Sequence, residues 1–77
     1  MPGSVHKDEY RSIIDRLVAV RTGAGVTQVQ LAERLGKPQS YVSKIERGER
    51  RLDVLEFCQI ARGLDRDPAD LLSDIVR

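Results

Sequence analysis

Apolar residues recur along this chain in five clusters with helical spacing, each bounded by a turn or capping signal. Over roughly residues 7–22, Tyr10, Ile13, Ile14, Leu17 and Val18 mark one face of an amphipathic helix of about four turns. Val20 lies toward the edge of that face and Arg21 near its end. Gly23 and Gly25 close the helix into a short loop, from which Val26 returns to the core. The Thr27 hydroxyl can accept from a free backbone N–H one turn on, so a second helix starts there. Leu31, Ala32 and Leu35 form its buried stripe, while Gln28, Gln30, Glu33 and Arg34 fall elsewhere. Gly36 can take the left-handed conformation that ends a helix, and Pro38 has no N–H to continue the ladder. After this three-residue break, Tyr41, Val42 and Ile45 resume helical spacing until Gly48.

The basic segment ERRL after Gly48 has no regular pattern and reads as a loop. Asp53 and Glu56 then stand in a capping arrangement before Val54, Phe57, Ile60 and Ala61, a fourth helix stopping near Gly63, with Leu64 packing back. Cys58 lies within it and reads as a buried structural thiol. Asp67 and Pro68 make a cap and first-turn pair for a last helix, residue 69 to about 76. The pattern predicts an all-α fold.

Two helices of roughly eight residues joined by so short a turn cross steeply and bury their stripes against other helices, leaving one face of the second exposed. That face carries Gln39, Ser40, Ser43, Lys44 and Arg47. Amides pair bidentately with adenine, lysine donates to guanine, and serine serves either. A polar face is also the default of any solvated helix, so the face alone does not decide. The surrounding residues do. The pattern R-x-x-x-G-V-T-Q-x-x-L-A-x-x-L-G … V-S-x-I-E-R-G, from Arg21 to Gly48, resembles the Cro-type phage-repressor (XRE) family of helix-turn-helix DNA-binding domains. The likeness extends loosely from Ile13 to Leu72.

The resemblance implies a compact five-helix, lambda-repressor-like bundle whose third helix lies in the major groove. By family position Gln39, Ser40, Ser43 and Lys44 would contact bases. Thr27, Gln28, Tyr41 and Arg47 would contact phosphates, joined by Arg50 and Arg51, which read equally as solvated surface arginines. Arg21 and Glu46 would form a structural ion pair tying the first helix to the end of the third. Two residues depart from the family pattern: Lys37 replaces an apolar turn residue, and Pro38 replaces the Ser or Thr that caps the recognition helix.

With 77 residues there is room for one modest core, read as a flexible tail over residues 1–6 and a helix-turn-helix domain over residues 7–77. One Cys and one His allow neither an internal disulfide nor a zinc cluster. No apolar run approaches a membrane span, and no apolar signal core is seen at the start; a reducing cytoplasm is the expected location. The net charge of +1 says little about partners. Its distribution says more: residues 37–51 hold five basic against two acidic residues, and residues 65–77 four acidic against two basic.

The last helix has more apolar residues than its length can bury. Leu71 and Leu72 can reach the bundle, while Ile75 and Val76 are expected to stay uncovered. These four residues form the expected dimer interface, since family members commonly pair through this end; the alternative is that all four close the monomer core. No nucleophile–base–orienter set, phosphate-cradling glycine loop or metal-ligand spacing is found, so no enzyme, cofactor, metal site or small-molecule effector is expected. The expected function is a sequence-specific double-stranded DNA-binding regulator, a homodimeric repressor on a near-palindromic operator. A restriction–modification controller or an antitoxin is the alternative within this class, and a protein-interaction adaptor is the alternative outside it.

Overall fold

The structure, a computed structural model, describes the backbone of residues 2–77 and the side chains of residues 9–77. Within the tail expected over residues 1–6, the backbone of residues 2–6 belongs to the first helix, while the side chains there, that of the lone His6 included, lie outside the residues so described. Five helices follow in order: α1 Pro2–Gly23, α2 Gln28–Leu35, α3 Gln39–Glu46, α4 Val54–Gly63 and α5 Pro68–Ile75. No strand occurs among the described residues.

Helices of eight to ten residues do not persist alone in water, so each depends on its ends and its buried stripe. The Thr27 hydroxyl accepts from the Gln30 N–H at 3.0 Å, and the Gln30 side chain accepts from the Thr27 N–H at 2.9 Å. This reciprocal capping box satisfies two otherwise orphaned donors. Asp53 and Glu56 build the same box on α4. The Asp67 carboxylate accepts from the N–H groups of Ala69 and Asp70, with Pro68 in the first turn of α5. Pro38 leaves α3 with no side-chain cap, as its chemistry requires. Gly36 ends α2 in the left-handed region at φ 68°.

The buried residues come as one stripe per helix: Ile14 and Leu17 from α1, Leu31 and Ala32 from α2, Val42 and Ile45 from α3, Ile60 and Ala61 from α4, and Leu71 and Ile75 from α5. Val26 and Leu64 close the core from the loops. Helix α2 packs on α3 and α4, α4 packs on α5, and α1 lies against α3 and α5. Burial of a side chain the size of leucine or isoleucine contributes about 1.5–3 kcal/mol, which is what holds elements this short together.

Three expectations about burial are corrected. Ile75, expected uncovered, is 1% exposed and Leu71 is 0% exposed, whereas Leu72 and Val76 are 47% and 52% exposed. Positions 71 and 75 are one helical repeat apart and share the inward stripe; 72 and 76 lie one position round and miss it. Leu71 and Ile75 therefore belong to the monomer core. Val54, assigned to the inner face of α4, is 81% exposed, because the neighbours that cover Ile60 and Ala61 do not reach the first residue of the helix. Cys58, expected in the core, sits at the edge of its stripe and is only partly covered.

Gly63 has a use that its place at a helix end does not reveal. The left-handed turn after α4 falls to Asp65 at φ 58°, while a Cβ on Gly63 would come within 2.9 Å of the Leu31 Cδ1. Its missing side chain lets α4 lie close against α2. Gly63→Val is expected to lower stability by about 1–3 kcal/mol through overpacking, read from urea unfolding midpoints at unchanged slope.

Candidate nucleic-acid interface

The side chain that positions this interface is Arg21, the only buried charged residue among the described residues. Its Nε donates to the Glu46 Oε2 at 2.6 Å and its Nη2 to the Glu46 Oε1 at 2.9 Å. Its Nη1 donates to the Val26 carbonyl at 2.8 Å. The ion pair expected between α1 and the end of α3 is thus present and bidentate. Arg11, which no sequence signal marked, donates through Nη2 to the Glu46 carbonyl at 2.6 Å. That bond places a cation on the carbonyl of the last residue of α3, where the helix dipole favours it.

From Glu46 a polar chain leads outward. Gln28, in the first turn of α2, donates through Nε2 to the Glu46 Oε1 at 2.7 Å. Gln39, the first residue of α3, donates through Nε2 to the Gln28 Oε1 at 2.6 Å. An ionised carboxylate only accepts, so Gln28 must turn its nitrogen toward Glu46 and its oxygen toward Gln39. Gln39 must then present nitrogen to Gln28. Its Oε1 and its second N–H have no partner among the described residues, and an amide's oxygen and N–H are the groups that match the N6 and N7 edge of adenine. Both glutamines were singled out in the sequence, but their contact with each other was not legible there.

The outer face of α3 carries Gln39, Ser40 and Lys44 exposed together, with Ser43 half-buried beside them. Lys44 has no carboxylate partner among the described residues and is free to meet a ligand. The other basic residues are already engaged. Arg47 pairs with Glu49 at 3.0 Å, and Arg50 pairs with Glu56. Arg51 lies on the Tyr10 ring, 4.3 Å from its centre, drawn onto α1 and not onto α3. The Tyr10 hydroxyl accepts from the Leu52 N–H at 3.1 Å and so fixes that loop. Lys37 and Arg50 both approach the Tyr41 ring, at 5.3 and 5.2 Å from its centre.

These contacts shift three titrating groups. Partial burial, and then the negative charge of Glu56, raise the Tyr41 phenol above its ordinary value. The hydrogen bond from the Asp53 N–H, reinforced by Arg50, holds the Glu56 carboxyl below its ordinary value. Its hydrogen bond and charge in turn raise Arg50, so all three groups keep their usual charge states near neutrality.

Breaking the central pair has a definite expected cost. Glu46→Ala strands a buried guanidinium and should lower stability by about 3–5 kcal/mol. Replacing both partners, Arg21→Met with Glu46→Leu, should recover most of that loss in chemical denaturation, because the desolvation penalty then disappears with the charges.

A helix-turn-helix family model matches residues 17–71. Among solved structures, the chain is similar to an XRE-family like protein from Pseudomonas syringae pv. tomato, at 49% identity over 96% of this chain and 90% of that one, with a TM-score of 0.87. It is also similar to the restriction-modification controller protein C.AhdI from Aeromonas hydrophila, at 34% identity over 84% of this chain and 97% of that one, with a TM-score of 0.72. A comparison with curated proteins gives no match. With its all-α bundle, its helix pair and its exposed polar third helix, the chain belongs to the XRE family of helix-turn-helix proteins and is a DNA-binding transcription regulator.

Proposed function

We propose that this protein is a sequence-specific repressor that binds a near-palindromic operator as a homodimer, with α3 in the major groove. The observation that carries this reading is the chain of hydrogen bonds from Arg21 through Glu46 and Gln28 to Gln39. It fixes the orientation of a base-reading amide before DNA arrives, so binding does not spend free energy on ordering it. Gln39 reads adenine, and Ser40 and Lys44 read neighbouring base edges, with Ser43 closest to the protein. The N–H groups at the start of α2, beside Thr27 and Gln28, face a phosphate, as helix N-termini do. Arg47 and Arg50 reach phosphates by exchanging their carboxylate partners, while Arg51 stays with Tyr10.

The homodimer rests on apolar surface that the monomer leaves uncovered. Tyr10, Ile13, Leu52, Val54, Phe57 and Leu72 line an almost wholly apolar groove, and the exposed Leu55 and Val76 extend the apolar surface of α4 and the chain end. A second copy seated there would present two recognition helices about 34–36 Å apart on one side of the duplex. A second reading, control of a restriction–modification system, is favoured by the likeness to a controller protein over most of both chains. A restriction-enzyme gene beside this one would favour it further.

Selection from random duplexes at physiological salt is expected to enrich an inverted repeat with adenine at a fixed position in each half. The Gln39→Ala, Lys44→Ala double variant should lose that enrichment; equal enrichment in the variant would contradict the placement of α3. Leu72→Asp is expected to turn a sedimenting dimer into a monomer with an unchanged helical circular-dichroism spectrum. Wild-type protein that sediments as a monomer at every concentration, alone and on DNA, would contradict the homodimer.

A further inference from the structure

Beside the outer face of α3 the surface opens into a recess of about 400 Å³ lined by Lys37, Pro38, Ser40, Tyr41, Lys44 and Arg50. Three of these six are cations and two carry hydroxyls; none is a carboxylate. One carboxylate reaches its edge. Glu56, in the first turn of α4, is ion-paired with Arg50, and its negative charge acts on the Tyr41 phenol.

The two ends of that ion pair differ in freedom. The Glu56 side chain is 14% exposed, against 47% for Arg50. Its Oε1 is tied to the Asp53 N–H at 3.0 Å, so it cannot leave α4. Arg50 sits on the loop between α3 and α4, on a long stem that can swing. The negative charge at position 56 is also not needed for capping, because Gln30 completes the equivalent box on α2 with a neutral amide. A negative charge there suits the positive end of α4, and Arg50 is the cation it holds.

We propose that the recess seats one phosphate of the DNA backbone, held by Lys37, the Tyr41 hydroxyl and Arg50, and that Glu56 occupies Arg50 in the free protein as the competitor of that phosphate. The proposal rests on the reading of α3 as the DNA-contacting helix. A phosphate offers the guanidinium the same two-oxygen partner as a carboxylate. An ion pair whose arginine end is half-exposed, as Arg50 is, is weak enough to exchange. When Arg50 turns to DNA, Glu56 stays behind as an uncompensated negative charge beside the phosphate. It touches no DNA and yet sets how tightly the chain is held. This also gives Lys37 a role: an apolar residue in the turn would supply no charge to the seat.

The test is binding of a random-sequence duplex at several salt concentrations, by fluorescence anisotropy, for wild type, Glu56→Gln, Arg50→Gln, their double variant and Lys37→Gln. Glutamine keeps the capping box, so Glu56→Gln should melt with wild type. It should bind roughly three- to tenfold tighter, the scale of one freed surface charge. That gain should vanish in the Arg50→Gln background. Lys37→Gln should weaken binding and flatten the plot of log affinity against log salt by about 0.9.

A Glu56→Gln gain that persists without Arg50 would reduce Glu56 to general repulsion and overturn the proposal. So would wild-type affinity in Glu56→Gln or Lys37→Gln. Should Glu56→Gln fold poorly, Lys37→Gln and Arg50→Gln, which cap nothing, decide: losses that are simply additive would contradict a shared phosphate. Wild-type protein indifferent to the duplex would overturn the DNA-binding reading together with this one, whereas a binding wild type with indifferent variants overturns this one alone.

Discussion

A buried guanidinium must be satisfied on every side, and this fold is arranged around satisfying one. Arg21 spends its donors on the Glu46 carboxylate and the Val26 carbonyl. Three segments are thereby fixed at once: the end of α1, the loop into α2 and the last residue of α3. Desolvating the pair has a cost of its own, so its presence is better explained by position than by stability. Glu46 closes the recognition helix at a set distance from the scaffold. Through Gln28 it also sets the amide of Gln39 at the other end of that helix. One charge pair therefore controls both where α3 lies and how the amide of its first residue is turned.

The rest of the bundle is the minimum that allows this. Four of its helices are ten residues or shorter, and each offers the core about two fully buried side chains. Caps and left-handed turns supply what so small a core cannot, since an uncapped end leaves orphaned N–H or C=O groups. The one short helix without a side-chain cap is α3, and its last residue, Glu46, is held from α1 by both Arg11 and Arg21. Its start is left free of a capping oxygen on the side where the recess beside Lys37 and Tyr41 opens.

What could be read from the sequence was local. Thr27, Gly36, Asp53 and Asp67 act through the residue next door or one turn on, and their signals name the helix boundaries well. The Arg21–Glu46 pair was legible only through resemblance to a family, since no local rule joins residues 25 apart. What stayed hidden depends on how helices sit against each other. Ile75 and Leu72 exchange their expected burial because the apolar tail of α5 gives no register of its own. Val54 shares a stripe with buried residues yet lies past the end of their cover. Arg11 reaches Glu46 across 35 residues, and Gln39 reaches Gln28 across 11, with nothing in composition to pair them. The Thr27–Gln30 box was the exception: its T-x-x-Q spacing was in plain view.

Gln39 is held ready to grip the N6 and N7 groups on one edge of a single adenine. The most direct test of this is to place 7-deazaadenine, which lacks the N7 acceptor, at the adenine opposite Gln39 in the selected operator. A loss of about 1–3 kcal/mol in binding free energy is expected for wild type and none for Gln39→Ala, because only the prepared amide uses that acceptor. Equal affinity of wild type for the two duplexes, or an equal loss in wild type and variant, would contradict it.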